Sequence, residues 1–339
     1  MRQLTCIAPN KIEWREVPTP TLESDHAALV RPLAVARCDL DPVLVSGLIP
    51  QKGEFALGHE CVGEVVALGD AVRGLEVGQR VVVSFQVSCG ACKSCGAGHT
   101  ANCDEYPVLS DYGMQPLSGV EYGGMLADLL QVPHAKTMLR PLARSVDPAA
   151  AASASDNVLD GYRAVAPHLR ERPGSDVLVV SHGGQSIALY AVQSAVALGA
   201  ARVDFASSDE EMLAFAAKLG ANPLRTDFGK RERRYPIVVD YGLRAEGLDF
   251  ALRSTEPEGI CQSVSFYFAP VAMPLGKLYT LGIRFFIGRC HAAALLPEVI
   301  PLIEAGKLRP GEVTTRTVDW EDAPEAYLEP AVKLVVRRD

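Results

Sequence analysis

The sequence predicts an α/β protein built in two parts: a twisted, partly closed β-domain and a doubly wound parallel-sheet domain. Three observations carry this expectation. The first 90 residues break into short β runs with Gly or Pro between most of them. From Asp176 onward, continuous apolar runs alternate with segments of helical spacing. From about His291 the alternation stops, with no further glycine-rich turn or crossover.

Taken in order, LTCIA, KIEWREV, HAALVRPLAVARC, ECVGEVVALG and QRVVVSF are bounded by turn residues and read as strands. DVLVV is an apolar run that ends in SHGGQS. IALYAVQSAVALGA follows, with apolar residues at helical spacing up to Gly199. The unit recurs as ARVDFA with DEEMLAFAAKLGA and as YPIVVD with LRAEGLDFALRS, and ICQSVSFYF and YTLGIRFFIG read as further strands. Apolar strands separated by helices belong to a parallel sheet covered on both faces. The last segment holds helix-like AAALLPEVIPLIEAG, helix-like EDAPEAYLEP and a strand, VKLVVRRD, and is expected to return to the β-domain. The expected division is 1–157 with 291–339 for the β-domain and 158–290 for the α/β domain. The basic run Lys230–Arg234 reads as a solvated loop before YPIVVD, with a phosphate patch as the alternative.

With 339 residues, 48% of them hydrophobic and 22% charged, the composition is globular, neither disordered nor fibrous. Forty-one acidic side chains against 33 basic ones give a net charge of −8 and no electrostatic reason to seek nucleic acid or an anionic membrane. No apolar stretch approaches the roughly 20 residues that cross a bilayer. The opening MRQLTCIAPNKIEWRE turns polar too soon for a signal peptide, so a soluble cytoplasmic protein is expected. Nine cysteines are an odd count for a disulfide framework, and their clustering points to metal instead.

Cys89, Cys92, Cys95 and Cys103 stand in the pattern C-x2-C-x2-C-x7-C. Four thiolates on so short a loop can surround one ion tetrahedrally, and Gly90, Gly96 and Gly98 let the backbone curl around it. With all four positions filled, the site is structural. An iron–sulfur cluster, or four unrelated thiols, are the alternatives. His99 lies in the same lobe and reads as an exposed loop residue. Upstream, Cys38 ends one β run and His59 stands in GHE, a thiolate and an imidazole that make half of an open, catalytic zinc shell.

The run Gly58-His59-Glu60-Cys61-Val62-Gly63, continued by Gly69 and Val72, resembles the zinc signature of the medium-chain alcohol dehydrogenase family, and the four-cysteine lobe resembles that family's structural zinc lobe. The resemblance spans nearly the whole chain. It implies a GroES-like β-domain, a Rossmann cofactor domain, and one catalytic and one structural zinc. It also implies a nicotinamide cofactor, a small alcohol or carbonyl substrate, and a homodimer or homotetramer. The third catalytic ligand falls on Asp156, five residues before Gly161 in ASASDNVLDGYRAV, where a helix N-cap is the other reading. Glu60 resembles the acid that stands behind the metal, able to approach it when water exchanges or serving only to hold a ligand in place. GLDFALRSTEPEG and PLGKLYTLGIRFFIGR look most like the threonine-dehydrogenase-like and formaldehyde-dehydrogenase-like branches, a similarity that does not select a substrate.

A strand feeding a glycine turn at a helix N-terminus holds a pyrophosphate through free amides and the helix dipole. The family pattern is G-x-G-x-x-G, and here the turn is Ser181-His182-Gly183-Gly184-Gln185-Ser186, with serines at the outer positions. The ribose-binding acid is replaced by Ser207, followed by Ser208. That loss admits NADP as well as NAD, although Asp209, Glu210 and Glu211 follow and no Arg or Lys stands beside Ser207, so a 2′-phosphate would lack a local partner. Asp204 is an alternative acid if the strand ends early. The family's proton-relay hydroxyl falls on Leu40, which cannot carry a proton, so either a water, Asp39, Ser46 or a substrate hydroxyl takes over, or the favoured reaction needs less proton traffic there. Asp41 matches the acid after the relay position, with helix capping as its plainer role. Two function classes follow: a zinc-dependent oxidoreductase, or a non-catalytic relative that keeps the fold and the structural zinc. Cys6, Cys61, Cys261 and Cys290 read as core thiols.

Overall fold

The computed structural model describes residues 1–118, 120, 122–183, 185–230 and 233–338. Gly184 of the glycine turn, and Arg231 and Glu232 of the basic run, lie outside them. The chain divides into two compact units, Met1–Leu159 with Cys290–Asp339, and Asp160–Arg289. Among the described residues, no helix is long and apolar enough to cross a membrane.

The first unit is built on a seven-stranded sheet. Its main path runs Arg316–Asp319, Leu334–Arg337, Ala28–Ala36, Glu60–Leu68, Arg80–Val83, Leu139–Pro141. Val30, Ala34, Val62, Val65 and Val81 to Val83 are fully buried, so these strands supply the core. Pro32 inside a strand is accommodated by a register shift between Pro32 and Ala34. A smaller sheet joins Arg2–Ala8 to Lys11–Glu16 and Phe55–Ala56. EDAPEAYLEP forms only a 3-10 turn, Trp320–Asp322, and the short helix Ala323–Ala326.

The second unit is a six-stranded sheet in the order Asn222–Arg225, Val203–Ser207, Val177–Ser181, Tyr235–Tyr241, Thr255–Ser263, Arg284–Ile287, with every pairing parallel. The helices Ser186–Ala197, Glu210–Lys218 and Ala245–Ser254 fall where the periodicity puts them. Three features depart from the sequence reading, the first being ICQSVSFYF, which is strand only as far as Ser263. Tyr279 to Leu281 of YTLGIRFFIG close the helix Leu275–Leu281, and only Arg284–Ile287 is strand. Asn222–Arg225 is a strand that hydrophobic patterning passes over, because it is polar and carries Pro223. Both features are tolerated at the edge of a sheet.

Candidate functional site

Strand register assembles the first cluster. Ala28–Ala36 and Glu60–Leu68 pair antiparallel with Ala36 opposite Glu60. Cys38, two residues past one strand, and His59, one before the other, therefore emerge at the same end of the sheet. The 3-10 turn Ala152–Ser155 docks there through the Cys61 amide, which donates to Ser155 Oγ at 3.1 Å, and this delivers Asp156. Gly58 must be glycine: its φ is +88°, and a Cβ would stand 2.9 Å from the Leu126 nitrogen. The ligand atoms of Cys38, His59, Glu60 and Asp156, all buried, lie within 4.8 Å of one another. Asp156 turns its carboxylate toward this cluster, with Oδ2 3.4 Å from His59 Nε2 and Oδ1 3.9 Å from the Cys290 thiol.

His59 is 0% exposed, yet neither ring nitrogen makes a hydrogen bond. Leaving such groups unsatisfied costs about 1–3 kcal/mol each. A tetrahedral ion with bonds of about 2.0–2.1 Å spaces its N and O ligands roughly 3.4 Å apart. The Nε2–Asp156 separation has that value, too skewed for a hydrogen bond but right for two ligands of one ion. Nδ1 lies 3.5 Å from Asp41 Oδ1. Burial works against the imidazolium, but Asp41, Asp156 and Glu60 outweigh it and raise His59 to about 9. Burial raises Glu60 to about 8 against the pull of Lys333, and burial together with Asp156 raises Cys38 well above its ordinary value. Three carboxylates and a thiol thus share a buried pocket with the Lys333 ammonium; their negative charge is offset by protons on His59, Glu60 and Cys38, which a divalent cation would replace. The donor set fits zinc.

The second cluster lies in the Cys89–Cys103 loop. Its four sulfurs also fall within 4.8 Å of one another, with Cys92 to Cys103 at 3.8 Å and Cys103 to Cys89 at 3.5 Å. Tetrahedral thiolate ligands at about 2.3 Å would be spaced at roughly 3.8 Å. Backbone amides of Cys95 and Asp104 donate to Cys92 Sγ at 3.4 and 3.3 Å and lower that thiol to about 7, while burial raises Cys95 and Cys103. Gly90 and Gly98 have the expected left-handed φ; Gly96 does not and sits in the short helix Lys93–Gly96. His99 is exposed, its ring 5.4 Å from that of His291.

In the α/β unit, the turn after Val177–Ser181 leads into the helix Ser186–Ala197. Gly183 has φ +103° and nothing within 4 Å of where a Cβ would stand, and Gln185 at the N-cap gives the helix no side-chain cap. That is an open helix N-terminus suited to an anion. Ser181 is buried and donates to the Gly183 carbonyl at 3.3 Å, so its hydroxyl serves the turn itself. Ser186 is buried as well, and the ring of His182 leans on Phe228 at 5.5 Å. Ser207 is buried and accepts from the Asp209 amide at 3.2 Å, whereas Ser208 is exposed. Asp204 is fully buried and takes hydrogen bonds from Arg202, Asn222 and Tyr235, so it ties strands together.

Residues 24–142 match the family model described as the alcohol dehydrogenase GroES-like domain. The L-galactonate-5-dehydrogenase of Escherichia coli is 30% identical over 78% of this chain and 68% of its own length. The chain belongs to the medium-chain zinc-dependent alcohol dehydrogenase family. A probable zinc-binding alcohol dehydrogenase of Mycobacterium tuberculosis is 27% identical over 96% of this chain and 84% of its own. The solved alcohol dehydrogenase TADH of a Thermus species superposes with a TM-score of 0.90 at 28% identity, covering 100% of both chains. The dehydrogenase is accordingly an oxidoreductase that works with zinc and a nicotinamide cofactor.

Four residues take on roles that the sequence motifs do not specify. Asp41 does not cap the helix Asp41–Ser46; its Oδ2 accepts from the Cys38 amide at 2.9 Å and from the buried Tyr327 hydroxyl at 2.5 Å, behind His59. Lys333 is fully buried, one residue before the strand Leu334–Arg337, with Nζ 2.8 Å from Glu60 Oε2. An isolated Lys in an apolar run gives no signal of this role. Arg225 corrects the expectation that Ser207 has no basic neighbour: the strand Asn222–Arg225 sets Arg225 directly opposite Ser207 in the parallel register. Its guanidinium pairs with Glu210 at 2.6 Å. Ser46 donates to the Val43 carbonyl at 2.9 Å, which occupies it within its own helix.

Proposed function

We propose that the chain interconverts small alcohols and their carbonyl counterparts, with Cys38, His59 and Asp156 holding a catalytic zinc and Cys89, Cys92, Cys95 and Cys103 a structural one. The observation that carries this is the completely buried His59, both nitrogens without hydrogen bonds, ringed by Cys38, Glu60 and Asp156. Bound there, zinc would supply Lewis acidity to a substrate oxygen, and the nicotinamide would accept or deliver the hydride. Asp41 holds the far side of the imidazole, and Lys333 engages Glu60. With Leu40 in place of a hydroxyl and Ser46 occupied, Asp39, a water or the substrate itself carries the proton away.

The β-unit serves as the catalytic part and the α/β unit as the cofactor part, its pyrophosphate seat being the turn around Gly183. For the cofactor, Ser207 with Arg225 opposite it supports NADP(H) over NAD(H), since an arginine there suits a 2′-phosphate and no carboxylate at that position repels it. The phosphate must share the guanidinium with Glu210. Replacing Arg225 by Ala is expected to weaken NADPH binding about 10-fold and leave NADH binding unchanged, read by titrating nicotinamide fluorescence. Equal losses for both cofactors would contradict the assignment. The exposed Phe286 and Ile287 on the edge strand Arg284–Ile287 support a homo-oligomer, testable by sedimentation. A screen of alcohols and carbonyl compounds with both cofactors tests the activity itself, and zinc-loaded protein that turns over none of them contradicts it.

A further inference from the structure

Asn157 follows Asp156, is completely buried, and belongs to no recognisable motif. Its amide is held by partners that include four described residues. Oδ1 accepts from Lys333 Nζ at 2.6 Å and from the Asp39 amide at 3.3 Å. Nδ2 donates to Cys38 Sγ at 3.1 Å and to Asp156 Oδ2 at 3.0 Å. A flipped amide would set its NH2 group against an ammonium and a backbone N–H, and its oxygen against a sulfur and a carboxylate, so only one orientation satisfies the surroundings.

We propose that Asn157 is a positioning residue that tunes the metal centre, clamping Cys38 and Asp156 together and drawing charge from the Cys38 sulfur. The inference rests on Cys38, His59 and Asp156 being the zinc ligands. One NH2 group bridges the two anionic members of that set, which fixes their separation before any ion enters. An N–H directed at a thiolate stabilises its charge and reduces its donation to a metal, leaving the ion more electrophilic. Lys333 strengthens the effect, because an ammonium on the amide oxygen polarises the amide and makes its NH2 a better donor. The ammonium is itself held by Glu60 and by the Arg37 carbonyl at 2.9 Å, so the amide is braced from a strand end.

The test uses the full-length chain and two variants, Asn157→Asp and Asn157→Ala. Asn157→Asp keeps the size and the acceptor for Lys333 but faces Cys38 and Asp156 with an oxygen, while Asn157→Ala removes both functions. Zinc affinity is read by competition with a chromogenic chelator, with the ion in the Cys89 lobe as internal control for folding. Proteins with cobalt exchanged into the Cys38 site and zinc kept in the Cys89 lobe report the Cys38 thiolate-to-cobalt charge-transfer band. Asn157→Asp is expected to weaken the site about 10- to 100-fold with the lobe still loaded, and Asn157→Ala to shift the charge-transfer band with a smaller loss of affinity. Variants that bind as tightly as wild type with an unmoved band would overturn the role of Asn157 alone. Wild-type protein that takes up no ion outside the Cys89 lobe would overturn the ligand assignment, and this inference with it.

Discussion

Removing the Tyr327 hydroxyl is a narrow perturbation with a calculable consequence. Tyr327 is 1% exposed, and its hydroxyl donates at 2.5 Å to Asp41 Oδ2, whose other oxygen faces His59. Burial, with Asp41 adding to it, raises the phenol well above its ordinary value, so the proton stays on the oxygen throughout the working pH range. Tyr327→Phe keeps the ring in place and deletes one charge-assisted hydrogen bond, about 1.5–3 kcal/mol. Asp41 Oδ2 keeps the Cys38 amide at 2.9 Å, which places the loss near the lower end, about 1.5–2 kcal/mol. Asp41 Oδ1 stands 3.5 Å from His59 Nδ1 and its Oδ2 accepts from the Cys38 amide, so zinc affinity should fall a few-fold, less than the roughly 10-fold expected for a residue in direct contact with a ligand, because Tyr327 stands two steps behind them. Urea unfolding of the zinc-loaded protein and chelator competition measure the two effects. Stability within about 0.5 kcal/mol of wild type together with unchanged affinity would refute the coupling of Tyr327 through Asp41 to the metal.

Three further outcomes are expected. Gly161→Ala puts a Cβ 2.6 Å from Tyr190 Cβ and 2.7 Å from the Ala191 nitrogen, so it should lower the urea midpoint through a loss of about 1–3 kcal/mol, and an unchanged midpoint would contradict that close approach. Zinc entering the Cys38 site must displace the proton of His59, which binds with a pKa raised to about 9. The Cys38 thiol, raised well above its ordinary value, must lose its proton as well, so apparent affinity rises with pH through about 9 and beyond, the His59 proton alone costing about 100-fold at pH 7. A flat profile would mean that His59 is not a ligand. Leu40→Thr restores a hydroxyl next to the metal ligands and should raise turnover and move its pH profile; a rate and profile left unchanged would show that Leu40 does not limit proton transfer.

The sequence makes plain what depends on local pattern. Apolar runs and helical spacing mark the core strands and helices of the α/β unit, and the crowding of Cys89, Cys92, Cys95 and Cys103 marks a metal lobe without any fold. Cys38, His59 and Asp156 are visible as donors, but their meeting depends on Ala36 pairing with Glu60 and on Ser155 docking at Cys61, contacts that no local pattern encodes. Arg225 was hidden because its strand is polar and proline-bearing, an edge strand that patterning reads as loop. Lys333 and Asn157 are ordinary surface residue types, and only burial against Glu60, Cys38 and Asp156 gives them a role. Asp41 matches a family position in the sequence, with a helix cap as its plainer role, and its partners are the Cys38 amide and the Tyr327 hydroxyl instead of helix amides.

The most direct test counts zinc in wild-type protein and in Asp156→Ala and Cys92→Ser. Wild type should carry about two ions per chain, Asp156→Ala about one with the fold intact, and Cys92→Ser should lose the lobe ion while keeping Cys38-site binding where the chain still folds. Wild-type protein with a single ion, or Asp156→Ala with as many ions as wild type, would contradict the assignment of Cys38, His59 and Asp156 as an open zinc site.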